Sequence, residues 1–316
     1  MKERHRLETE VPVLETLVRM DKYISDHLAL FPRTQYERRA VEVLVQSKKV
    51  KPSFKLVGGE KIIVSWDDLP DVSMEPQELP LDILYEDANT LVVNKPRGMV
   101  VHPAYGNWSG TLVQGLLFYV KELEAEFQET DLRPGIVHRL DKDTTGILVT
   151  AKSASALEHL SAQFRGRTTT KLYYAVLKGV PSEKQGLMET SLGRDPLHRQ
   201  RFAVVAPGTG KVAVTSWKLL AVAGNYSLVE FSPRTGRTHQ LRVHALHLHC
   251  PILGDPIYAR TDPRLPEAPL MLHAARLEII LPGEGAPRSF QAPLPEDFRK
   301  VLRGLGLPDP LICAPG

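Results

Sequence analysis

The chain has 316 residues, 42% hydrophobic and 24% charged, which is the profile of a globular chain with room for more than one core. Its formal net charge of +3 permits a nucleic-acid partner without demanding one, and two cysteines, Cys250 and Cys313, exclude a disulfide framework or a cysteine metal site. No run approaches the length of an apolar membrane span, and MKERHRLETE lacks the apolar stretch of a signal peptide, so no membrane partner and a cytoplasmic location are expected.

Residues 13–66 form the first organised stretch. Met20–Leu30 sets Ile24, Leu28 and Leu30 close to one face of a short helix. PRTQYERRAVEVLVQ, residues 32–46, reads as a second helix with Tyr36, Val41, Leu44 and Val45 as its apolar set. Arg33, Arg38, Arg39, Lys48, Lys49 and Lys51 crowd the same region, and KIIVSW at 61–66 reads as a strand after the Gly58-Gly59 turn. On residue types alone this is a basic helical hairpin with a solvated face. The RMDKYI opening and the helix–helix–strand order resemble the small α/β RNA-binding module named for ribosomal protein S-four. Where that family carries a Val-Asn-Gly-type turn, this chain has Val50-Lys51-Pro52. Residues 67–80, DDLPDVSMEPQELP, are acidic and proline-rich and read as an extended linker.

Leu81–Tyr85 and Leu91–Asn94 read as strands around a turn at 86–89, followed by NKPRGMVVHP, in which Pro96 and Gly98 shape a tight turn. Thr111–Leu123 reads as a helix and 124–134 as a polar loop. GIVHRLDKDTTGILVTAK, residues 135–152, is the densest stretch: His138, Arg139, Asp141, Lys142 and Asp143 lie between two β-prone runs. Chemistry is often placed on such a loop held by a sheet, although the same residues also suit a plain polar hairpin. Ser153–Phe164 is an amphipathic helix with a Ser N-cap, and KLYYAVLKG at 171–179 is a strand whose alternation leaves open whether Tyr173 or Tyr174 faces a cleft. GRDPLHRQRFAVV at 193–205 is a hairpin whose Arg194, His198, Arg199 and Arg201, with Lys211, suit phosphate contacts. LVEFSPRTGRTHQLRVHALHLH, 228–249, reads as strand, turn and helix. His239 and His244 are five apart, not the four that set two ligands on one helical face, so no metal is expected. Gly254-Asp255-Pro256 reads as a turn, Met271–Leu281 as a last strand and 293–306 as a closing helix.

HRLDKDTTG, the Lys-x-Tyr at 171–173 and TGRTHQLRVH at 235–244 together resemble the RluA-type pseudouridine synthases, enzymes related to those of large-subunit ribosomal RNA. The resemblance implies an α+β catalytic fold over 81–306, with a mixed, mainly antiparallel sheet and flanking helices. It implies isomerisation of uridine to pseudouridine within RNA, a reaction that needs no cofactor. Asp141 is then the catalytic carboxylate, attacking the anomeric carbon or taking a proton from the sugar. Arg242 pairs with Asp141, and Tyr173 stacks on the target base and assists proton removal. Arg139 helps push the base from the RNA, and His138, Lys171, Arg237 and His239 complete the substrate-binding set. By the same resemblance Lys95 is expected to serve packing. Ribosomal RNA is the first expected partner, with transfer RNA as an alternative, and the chain is expected to act as a monomer. A non-catalytic RNA-binding or ribosome-assembly protein on the same scaffold is the competing reading; the intact set Asp141, Tyr173 and Arg242 weighs against it. A glycosidase using Asp141 and Asp143 needs its acids on opposite sides of a sugar, which nothing in the sequence supports.

Overall fold

The computed structural model describes residues 4–36, 39–68, 75–103, 106–120, 134–198 and 201–312. The loop expected at 124–134 lies, except for residue 134, outside the described residues, as do residues 69–74 of the linker, Arg38, Arg199 and Cys313. Two compact units meet in sequence at Ser73 and Met74.

The first unit contains β1 (Arg4–Glu10), β2 (Val18–Arg19), β3 (Glu42–Val45), β4 (Lys48–Val50), β5 (Lys55–Leu56) and β6 (Lys61–Asp67). These make an antiparallel sheet ordered β1-β6-β3-β4 and a separate β2–β5 pair. The expected helices are much reduced. Met20–Lys22 forms one α-helical turn, Tyr23–His27 widens into a π-helical turn, and Arg33–Gln35 is a 3₁₀ turn. The helix expected over 32–46 is wrong in its second half, which is the β3–β4 hairpin. Val43 and Val45 are buried while Glu42 is exposed, an alternation of period two that β-branched residues favour. Gln46 and Ser47 turn the hairpin with φ of 46° and 69°, the doubly left-handed geometry of a two-residue connection. Strand β1 was not anticipated, because RHRLETE holds one apolar residue, Leu7, which sits opposite Val64.

The second unit is built on a ten-stranded sheet. In chain order its strands are β7 (Ile83–Glu86), β8 (Thr90–Lys95), β9 (Thr145–Ala151), β10 (Thr170–Lys178), β11 (Gln185–Arg194), β12 (Phe202–Val205), β13 (Lys211–Ala223), β14 (Tyr226–Pro233), β15 (Leu272–Ile279) and β16 (Arg288–Gln291). In space they run β12-β11-β13-β14-β10-β15-β9-β8-β7, with β16 paired to β15. Strands β9 and β15 run parallel, and the other pairs are antiparallel. Among the described residues the unit's helices are α1 (Leu112–Tyr119), α2 (Ala154–Gly166), α3 (Gln240–His247) and α4 (Glu296–Leu305). This is a mixed α+β fold with a mainly antiparallel sheet.

Every residue of β9 is buried, because both of its faces are covered. Leu148 packs with Leu112 and Leu116 of α1, while Ile147 and Val149 pack with Leu160 of α2. Helix α2 starts at Ser153, whose Oγ accepts a hydrogen bond from the Ala156 amide at 3.3 Å. Phe298 and Leu302 of α4 join Val176 and Phe231 in the core of the other half. Strands β14, β10, β15 and β9 are neighbours, so the segments before β9, on β10 and after β14 converge on one region.

Candidate active site

The loop 135–144 is held at both ends. Ile136 bridges Thr150, and the Ala151 amide donates to the Gly135 carbonyl at 2.8 Å. The Val149 amide donates to His138 Nε2 at 3.1 Å, and the imidazole stacks on Phe164 with centroids 4.5 Å apart. Burial, helped by the charge of Lys171, lowers His138 to about 3, so the ring is neutral and serves as an acceptor that fixes the loop. The far end is tied by buried Lys95 and half-buried Arg97. Lys95 Nζ donates to the carbonyls of Pro96, Met99 and Lys142 at 2.9–3.0 Å. Arg97 donates to the carbonyls of Asp143 and Leu270 and to Asp297. Burial lowers the Lys95 amine to about 7, against the opposing charges of Asp143 and Asp141. These bonds occupy the backbone around Asp141 and leave its side chain, 21% exposed, at the cleft.

Helix α3 is placed by a polar lock. Thr235 Oγ1 donates to Gln240 Oε1 at 2.8 Å, and Gln240 Nε2 donates to the Val214 carbonyl and to Thr215 Oγ1. This puts His239 at the head of the helix with a left-handed φ of 56°, and Arg242 one turn further on. Arg242 Nη1 reaches Asp141 Oδ2 at 3.4 Å. Its tighter partner is Asp255, met by Nε and Nη2 at 2.7 Å each, with Asp255 fully buried. Burial disfavours the Arg242 cation, but Asp255 and then Asp141 outweigh it and raise its pKa. The expected Arg242–Asp141 pair is therefore one side of a three-membered group. Asp255, read from sequence as a turn residue, is the member that was missed. It does form a turn, since its Oδ1 also accepts from the Ile257 and Tyr258 amides. The signal that could have exposed it is that a buried arginine requires a buried carboxylate.

A cleft of about 640 Å³ is lined by all eight residues singled out from the sequence: His138, Arg139, Asp141, Lys171, Tyr173, Arg237, His239 and Arg242. Tyr173 lines it from β10, opposite Phe231 and Ala274, while Tyr174 is buried in the core on the other face. Burial, and then the Asp141 charge, raises the Tyr173 phenol, so it is un-ionised. Burial lowers the Lys171 amine to about 8. Arg139 is exposed, and Arg237 is held by its Nε donating to the Val212 carbonyl at 3.0 Å. Arg165, Arg167 and Arg234 add cationic lining that carried no expected role. A neighbouring cleft of about 560 Å³, lined by Arg194, Phe202 and Lys211, shares Gly236, Arg237 and Thr238 with the first. Arg194 lies over the Phe202 ring at 4.8 Å.

The family model described as RNA pseudouridylate synthase matches residues 89–247, which spans the loop, Tyr173 and α3. A ribosomal large subunit pseudouridine synthase D of Borreliella burgdorferi is 40% identical over 299 residues, 93% of this chain and 91% of its own. The chain belongs to the RNA pseudouridine synthases of RluA type. A ribosomal large subunit pseudouridine synthase D of Neisseria meningitidis is 40% identical over 96% of this chain and 83% of its own. Among solved structures, human RNA pseudouridylate synthase domain containing 4 superposes with a TM-score of 0.59 at 29% identity, covering 72% of this chain and 94% of that one. The protein is thus an RNA pseudouridine synthase, an isomerase. Among the described residues no helix is long and apolar enough to cross a membrane.

Isomerisation at a uridine asks little of the redox chemistry of a site and much of its electrostatics. The synthase cleft offers a carboxylate, an arginine fixed beside it, a neutral phenol and a ring of cations, which suits a polyanionic substrate whose base must be turned in place.

Proposed function

We propose that this synthase isomerises specific uridines of large-subunit ribosomal RNA, with Asp141 as the carboxylate that acts at the sugar. The observation that carries the reading is the position of Asp141 in the cleft beside Arg242, with Tyr173 of β10 lining the same cleft. The target base must leave its stack, at a cost of a few kcal/mol, to reach such a cleft. Exposed Arg139 is suited to the vacated space, and Tyr173 to stacking on the flipped base. Asp141 either attacks the anomeric carbon or takes a proton from the sugar; both routes use the charged carboxylate that Arg242 orients. The proton on carbon 5 leaves after the base has turned and re-bonded. A neutral Tyr173 assists by accepting that proton, directly or through water, while its own hydroxyl proton leaves to solvent water. Lys171, Arg237 and His239 bind the substrate around this centre, and His138 contributes by holding the loop.

The names of the relatives favour ribosomal over transfer RNA as the substrate. We assign RNA binding also to the first unit, over residues 13–66. The positive φ of Gln46 and Ser47 at the β3–β4 turn supports Val45-Gln46-Ser47, rather than residues 50–52, as the counterpart of the S-four module's Val-Asn-Gly-type turn. The test is a pseudouridine map of ribosomal and transfer RNA from cells lacking the gene, rescued with wild type or Asp141→Ala. Loss of sites in large-subunit RNA that only wild type restores is the expected result. Loss confined to transfer RNA would replace the substrate, and full rescue by Asp141→Ala would replace the mechanism with an RNA-binding role.

A further inference from the structure

We propose that Tyr258 is a positioning residue for the synthase reaction, its hydroxyl holding His239 in the tautomer that presents Nε2–H to the Asp141 carboxylate. The inference rests on the reading of Asp141 as the reacting carboxylate. Tyr258 ends CPILGDPIY, a family-like segment after the third motif whose only expected role was a turn, and it is 7% exposed. Its hydroxyl oxygen accepts from the Phe202 amide at 2.9 Å and lies 2.9 Å from His239 Nδ1. A backbone amide can only donate, so the phenol oxygen accepts there. The phenol's own hydrogen then has His239 Nδ1 as its acceptor among the described residues. A proton on Nδ1 would instead put two donors on one oxygen and leave a buried O–H unsatisfied. The neutral imidazole therefore carries its proton on Nε2, which stands 3.9 Å from Asp141 Oδ2. The other tautomer would aim a lone pair at the carboxylate.

The ring has little freedom to escape this arrangement. Phe202 and Tyr258 meet it edge-on, with centroids at 5.8 and 5.6 Å. The charged groups that face it are Asp141 and Arg139 from the loop, Arg242 from α3 and Asp255 from the turn before Tyr258. Burial, ahead of the opposing Asp141 charge, lowers the His239 pKa, so the neutral ring is the working form. Tyr258 also touches Arg242, whose Nη1 donates to Asp141. Its amide donates to Asp255 at 3.0 Å, and the Arg242 guanidinium lies 5.1 Å over its ring. Because Phe202 opens β12, the basic hairpin and the reacting carboxylate are joined through this one hydroxyl.

Tyr258→Phe removes the hydroxyl and keeps the ring. The experiment compares wild type, Tyr258→Phe, His239→Gln and the double variant, with Asp141→Ala as the blank, on an unmodified ribosomal RNA transcript across pH. At pH 8 the kcat of Tyr258→Phe is expected to fall about tenfold with KM within about twofold of wild type. The deficit shrinks only well below pH 6.5, the ordinary imidazole value from which burial lowers His239, because a protonated ring carries a hydrogen on Nε2 whatever Tyr258 does. Gln has a fixed amide donor, so adding Tyr258→Phe to His239→Gln costs nothing further. Nitrogen NMR of the imidazole in the free protein should show a bare Nδ1 in wild type and mixed tautomers in Tyr258→Phe. A deficit that is independent of pH and additive with His239→Gln, or an unchanged tautomer, overturns the proposal. If wild type converts no uridine, the reading of Asp141 falls, and the NMR still decides the tautomer.

Discussion

At the scale of single residues, Asp255 holds Arg242 by two 2.7 Å hydrogen bonds, whereas Asp141 meets Nη1 at 3.4 Å. Asp255 is thus the fixed support, and Asp141 remains the looser oxygen that can move onto a substrate. Removing one charge from the buried pair leaves the other uncompensated. Arg242→Met alone is expected to cost about 3–5 kcal/mol of stability in denaturant melts, and Arg242→Met with Asp255→Asn, which removes the charge but keeps Oδ1 for the Ile257 and Tyr258 amides, to recover most of it while staying inactive. A double variant no more stable than the single would contradict that assignment. Lys171 supplies a pH signature. Its amine, lowered to about 8 by burial, is charged below that pH and neutral above it, so attraction for phosphate is lost as pH rises. KM should therefore rise between pH 7 and 9 in wild type by about a few-fold and stay flat in Lys171→Arg, measured by initial rates. That Asp141, Tyr173 and Arg242 line one cleft was legible in the sequence because contiguous motifs carry them. Asp255 was not, because its partner lies 13 residues earlier and a Gly-Asp-Pro run is sufficiently explained as a turn.

Among the elements, the parallel pair β9–β15 sets where the loop ends. Gly146 sits at its start with φ of 110°, and a Cβ there would fall 2.1 Å from the Ala274 carbonyl oxygen. Because the clash is with backbone, Gly146→Ala must open the pair and is expected to cost more than about 3 kcal/mol, with loss of activity through Asp141 upstream. Gly98, at φ of 81°, has nothing within 4 Å of its Cβ position, so Gly98→Ala should cost only about 1–2 kcal/mol. Chemical denaturation of both variants checks the contrast, and equal losses would refute it. The strands and helices of the second unit were readable where apolar period and caps agree, as at Ser153 and in β10. The first unit was misread where they do not. Residues 41–45 are a short apolar run that fits either period, and the outcome was decided by pairing with β6, a partner some twenty residues away. Strand β1 exists through that same pairing rather than through its own side chains.

At the scale of the whole molecule, burial holds His138, His244 and His273 neutral well below the ordinary imidazole range. Burial lowers His138 to about 3 and His244 and His273 to about 4, with Lys171 and His247 adding to the first two. Between pH 6.5 and about 4 the unfolded chain binds protons that the folded chain cannot. Stability is therefore full above about 6.5 and falls as pH falls, with a limiting slope of about 1.4 kcal/mol per pH unit for each such group. Urea melts at pH 7 and pH 5 should show a loss of at least about 1 kcal/mol; equal stabilities would mean that these rings are not held neutral. The most direct test of the functional account is pseudouridine formation in an unmodified ribosomal RNA transcript by purified wild type and Asp141→Asn, with RNA affinity measured alongside. The account predicts that Asp141→Asn binds RNA within about twofold of wild type and forms no pseudouridine. Conversion by Asp141→Asn at the wild-type rate would contradict it.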